Sequence, residues 1–184
     1  MNLAKLKPFA VSLLVLALAA CGSGSTSAGP SESAPPATYG EFSTAFCGAF
    51  TSLIRAVGNP DAGTPSVMSK ALDDAVKAHD AVAADRAAAA MIAELEAGRV
   101  QAAAAARWQP GSVAMAHMDR LLVAFEALTT AKRAVAGGAS VDPQAAFEQA
   151  GGVAAWAGTL QGAASLPVPS GVSPSPCKAF SGSI

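Results

Sequence analysis

Aromatic residues are scarce in this chain. There is one Tyr, there are two Trp, and aromatics make up 5% of 184 residues. Charge is scarce too, at 14% of residues with a formal net charge of −1. No basic patch appears, so there is little to draw a phosphate backbone, and nucleic acid is excluded as an expected partner. Asn occurs only at Asn2 and Asn59, and His only at His79 and His117. No phosphate-binding Gly-Lys-Ser/Thr loop, Gly-x-Ser-x-Gly elbow or Cys-x-x-Cys pair is found. Gly137-Gly138 and Gly151-Gly152 lack the spacing of a phosphate cradle. The longest apolar run, Phe9–Leu18, is about half the roughly 20 residues that a helix needs to cross a bilayer core.

Alanine fills the space that these absences leave. It has the highest helix propensity, and its small side chain lets helices approach closely. An all-α domain is therefore expected, an antiparallel bundle of four helices, or five if the long second one breaks.

The N-terminus has its own character. Lys5 and Lys7 form a positive head, the Phe9–Leu18 run follows, and Leu18-Ala19-Ala20-Cys21 closes it. That order of charge, apolar run and small residues is that of a secretory signal, which is removed. Without an Arg-Arg pair it points to the general export route. Leu18-Ala19-Ala20-Cys21 resembles the lipobox of bacterial lipoprotein precursors. The resemblance implies cleavage between Ala20 and Cys21, with Cys21 as the lipidation site and the membrane as a partner through that lipid. One acyl chain anchors only marginally, at about 0.8 kcal/mol per buried methylene, so two or three chains would hold the protein firmly. Ordinary signal cleavage with an incidental cysteine is the alternative.

These readings divide the chain into a signal peptide (1–20), a lipidated cysteine with a flexible linker (21–37), a helical bundle (38–164) and a coil tail (165–184). The linker is Gly, Ser, Pro, Thr and Ala with the single charge Glu32. It has no periodicity and no means of building a core. Loss of Lys5 and Lys7 takes the mature charge to about −3 by the reference ionisation of lysine. With Cys21 set aside, Cys47 and Cys177 remain. An even pair in an exported chain reads as a disulfide, against the alternative of two buried free thiols.

Within the bundle, Thr38-x-x-Glu41 has capping-box spacing, and Phe42, Phe46, Phe50, Leu53, Ile54 and Val57 follow at helical intervals to a stop at Gly58-Asn59-Pro60. Thr64-Pro65 reads as the cap and first residue of a second helix that runs without a strong breaker to Trp108, Gly98 being its weakest interior point. Lys70–Asp74 and Asp73–Lys77 are spaced as exposed i,i+4 pairs. Ser112 opens a third helix with Ala114, Met118, Leu121, Phe125, Leu128 and Val135 on one face. Asp142-Pro143 opens a fourth, ending near Ala164. If the second helix is continuous, Cys47 lies beside about residue 75, roughly 40 Å from the end of the fourth helix. The tail must then be pulled taut to bridge it, and a break in the second helix would ease the closure.

Few residues offer chemistry. His79 and His117 fall on the apolar faces of their helices, where bundles place metal and haem ligands. A hairpin turning near residue 109 separates them by roughly 30 Å. Met115, His117 and Met118 are the densest run of soft ligands and would suit Cu(I), although Met residues also fill cores. Arg99, Arg107 and Arg120 gather near Trp108 at a predicted turn, as an anion or partner site or as solvated helix ends. Without a catalytic motif, an enzyme is not expected and no cofactor is assigned. The first expectation is a binding or interaction module for an unknown protein or small-molecule partner. The second is a bundle that holds a small ligand, haem or metal ion in its core.

Overall fold

A computed structural model describes residues 38–59, 63–167, 169–170 and 177. The signal segment, Ala20, Cys21 and the linker lie outside the described residues. The described chain is all-α. Its helices are α1 (Tyr39–Val57), α2 (Val67–Ala78), α3 (Ala81–Ala105), α4 (Ser112–Ala136), α5 (Pro143–Gln149) and α6 (Gly152–Ala164), with a 3-10 turn at Gln109–Gly111 before α4.

The first helix forms as the sequence dictates. Thr38 N–H donates to Glu41 Oε2 at 2.7 Å and Glu41 N–H donates to Thr38 Oγ1 at 3.2 Å, so both halves of the capping box close. Phe42, Phe46 and Leu53 are fully buried on its inner face. Gly58 ends it with φ of +108°, where a β-carbon would also meet the Thr64 carbonyl oxygen at 2.2 Å. The chain then turns into a two-residue antiparallel ribbon, β1 (Gly58–Asn59) and β2 (Thr64–Pro65). Thr64-Pro65 is therefore strand and not a helix start. The cap is Ser66, whose Oγ accepts from Ser69 N–H at 2.9 Å.

The predicted second helix is two helices, and the break is far from Gly98. His79 adopts a left-handed backbone, φ +52° and ψ +35°, and closes α2. Asp80 then caps α3 by accepting from Ala83 N–H at 2.9 Å. His and Asp tolerate these conformations better than most residues, but they are weaker punctuation than Gly or Pro. Gly98 lies inside an unbroken α3, where its missing side chain admits α1: a β-carbon there would stand 3.2 Å from Ser52 Cβ and 3.3 Å from the Ala49 carbonyl oxygen.

Because α2 is short, α1 packs along α3 instead of along the opening half of one long helix. Gly48 faces Gln101 and Gly98 faces Ser52, which fixes the pair as antiparallel. Cys47 thus sits beside about residue 101 by that register, not residue 75. The fourth helix is also divided. Asp142 caps α5 as expected, accepting from Gln144 N–H at 2.9 Å, but Gly151 at φ +79° separates α5 from α6. Ser112 is not a cap: its hydroxyl donates to the Gln109 carbonyl at 2.8 Å and Gly111 holds the cap position.

The main core lies among α1, α3, α4 and α6, with Phe42, Phe46, Leu95, Met118, Leu121 and Leu122 at its centre. A smaller cluster of Leu72, Ala75, Ala84, Ala88, Met91 and Ala136 seals α2 against α3 and α4. Buried Thr129 and Thr159 return their hydroxyls to the carbonyls of Phe125 and Ala155, at 2.7 and 2.8 Å, so neither leaves an unpaired polar group in the core.

Candidate functional site

Two ends of the bundle can be told apart. One carries the start of α1, the α3–α4 turn and the close of α6. Trp108 stacks there at 4.7 Å from Phe42 and 5.3 Å, edge-on, from Tyr39. Gly111 is needed under these rings, since a β-carbon would lie 2.3 Å from the Phe42 ring. The other end carries the α2–α3 turn and the α4–α5 connection, while the β1–β2 ribbon lies between the ends, against Phe125 midway along α4.

Cys47 and Cys177 are joined by a disulfide, with S–S 2.11 Å, Cα–Cα 5.4 Å and a sequence separation of 130 residues. Cys177 is buried among the main-core residues. The two cysteines come within reach because α6 runs back to the end where α1 begins, with Gly162 against Ala114.

The soft-ligand run does not converge. Met115 and Met118 are 1% and 0% exposed within the main core. His117 is half-buried and points elsewhere, since a two-residue step turns about 200° round a helix. Its ring lies over Gly158 of α6, and its Nδ1 is buried without a hydrogen-bond partner. His79 is exposed at the turn between α2 and α3. That turn lies at the Gly137 end of α4, because Asp85 pairs with Arg133. About 20 residues of α4, or roughly 30 Å, separate it from His117. Among the described residues no group of three or more His, Cys, Asp or Glu is placed to hold a metal ion.

The arginines near Trp108 are drawn into the scaffold to different degrees. Arg99 Nε donates to Asp119 Oδ1 at 3.0 Å, and its guanidinium stands 3.8 Å from Glu126. The hydrogen bond and charge of Asp119 raise the Arg99 pKa further above its ordinary value. Arg107 lowers the Glu41 pKa slightly, after the larger effect of the Thr38 hydrogen bonds. Arg120 is exposed.

Sequence reasoning missed the other cross-helix ion pairs. Asp73 bonds to Lys132 of α4 at 2.6 Å and not to Lys77, while Lys70–Asp74 forms as expected at 2.5 Å. Arg133 and Asp85 meet at 2.6 Å. The linear signal for these contacts was only that each carboxylate lay off its apolar stripe.

Two shallow hollows are present, one at the end away from Thr38 and one beside the middle of α4. One of about 400 Å³ is lined by Ala81, Asp85, Thr130, Arg133, Ala134 and Gly137. The other, of about 230 Å³, is formed by Val57, the β1–β2 ribbon and Phe125. The charge in the first is neutralised internally by its own Arg133–Asp85 pair. Neither hollow includes His117, Met115 or Met118. No family model, curated protein or solved structure matches the chain.

Proposed function

We propose that this chain is a lipid-anchored, extracytoplasmic binding module, held to the membrane through Cys21 and carrying no catalytic centre. The observation that supports it most is the Cys47–Cys177 bridge. Structural disulfides belong to oxidising compartments, which fits export. The bridge also uses two of the three cysteines, leaving the one in the lipobox-like stretch. Among the described residues no helix is long and apolar enough to cross a membrane.

Thr38, the first described residue, lies at the Trp108 end of the bundle, and the hollow lined by Asp85 and Arg133 lies at the far end. That far end is the surface this reading offers to a partner. Membrane fractionation of wild type and Cys21→Ser tests the anchor: release of the variant supports it, and a variant that still pellets at high salt refutes it.

One observation favours the second reading, a small ligand, haem or metal ion within the bundle: the unpartnered Nδ1 of His117. Against it, Met115 and Met118 are directed into filled core. Purified protein that is coloured or metal-loaded and binds no partner reverses the order of the two readings.

A further inference from the structure

We infer that α3 is a self-association surface, on which a second copy of this chain packs antiparallel. The inner side of α3 meets α1, α2 and α4. Among the described residues its outer side is exposed, and the residues there follow a rule. Val82, Arg86, Ala89, Ala93, Glu96 and Val100 are all exposed, the two valines by 70% and 68%. They succeed one another by alternating steps of four and three. That spacing keeps one seam facing a partner helix along its whole length.

The two charges in the seam select the occupant. In an isologous pair each residue meets its counterpart across the two-fold axis. With that axis crossing the outer side of α3 between Ala89 and Ala93, Val82 meets the partner's Val100, Ala89 meets the partner's Ala93, and Arg86 meets the partner's Glu96. Each layer joins residues set on opposite sides of the seam, as antiparallel helices require. Opposite charges therefore meet twice, flanking a centre of alanines small enough for the helices to approach to about 8 Å. Neither Arg86 nor Glu96 makes an ion pair among the described residues, and Glu96 acts on Arg99 only as the last and smallest of that group's charge neighbours. One helix pair of such small side chains buries less than the roughly 1,200 Å² of standard interfaces, which makes the dimer weak and reversible.

The inference does not depend on the lipid. The described core lies within residues 42–177. The chain from residue 38 onward, which lacks both Cys21 and the apolar N-terminal run, is therefore the sample. Sedimentation equilibrium is run on wild type, Arg86→Glu, Glu96→Arg and the doubly swapped variant, with circular dichroism to check equal folding. A monomer–dimer equilibrium is expected. Each single reversal should weaken it about tenfold, and the double swap should restore it to within about twofold. A wild type that stays monomeric up to about millimolar concentration, or a double swap no tighter than the single variants, overturns the inference.

Discussion

The ring of His117 on α4 occupies the space where a side chain on Gly158 of α6 would be. A β-carbon at Gly158 would lie 2.3 Å from His117 Nδ1 and 2.6 Å from Cγ. Cγ moves only by rotation about χ1, so the ring must leave its present rotamer to make room. Gly158→Ala is therefore expected to destabilise the protein by about 1–3 kcal/mol, the usual cost of overpacking. His117→Ala should recover much of that loss in the double variant, because it removes both the clash and an unpaired polar atom. Chemical denaturation of the four chains checks this, and simple additivity would contradict the contact.

The Cys47–Cys177 bridge closes a loop of 130 residues. In the chain-entropy model such a loop contributes at most about 5 kcal/mol, and loss of a native bridge commonly costs about 2–5 kcal/mol. Cys177→Ser should lower the melting temperature accordingly and leave membrane attachment unchanged. Reduction of the wild type should bring its stability to that of the variant.

Arg99 stands between Asp119 and Glu126, but about 42% of its side chain is exposed. Solvent screening limits such a pair to roughly 1 kcal/mol or less. Arg99→Ala should therefore move the urea midpoint only slightly, and salt should narrow the gap between wild type and variant. A large loss would mean that the α3–α4 contact leans on this ion group and not on Leu95, Leu121 and Leu122.

Glu41 gives a pH dependence of known sign. Its hydrogen bonds from Thr38 hold its pKa below the ordinary 4.5. A carboxyl depressed on folding stabilises fully above its unfolded value, and that contribution is lost as pH falls through the folded value. Wild type should therefore exceed Glu41→Gln in melting temperature near neutral pH, and the difference should shrink as pH falls below the ordinary 4.5. A difference that grows in acid would contradict the capping box.

What could be read from the residues depended on how local the cause was. Thr38, Gly58 and Asp142 announced their helix boundaries because a cap or a positive φ is decided within three or four residues. The break at His79-Asp80 was not legible, since neither residue forces a turn and packing of Leu72 and Ala75 onto α3 selects one. Once that break is known, the place of Cys47 beside α3 follows, and with it the closure of the disulfide. The soft-ligand run misled for another reason: nearness in sequence put Met115 and His117 on opposite sides of one helix. The Asp73–Lys132 pair was invisible because it joins residues brought together only by the bundle.

The lipid anchor is tested most directly by the intact mass of the mature protein extracted from membranes. The expected product begins at Cys21 and carries the added mass of two or three acyl chains. A chain that begins at any other residue, or that begins at Cys21 with an unmodified thiol and amino group, contradicts it.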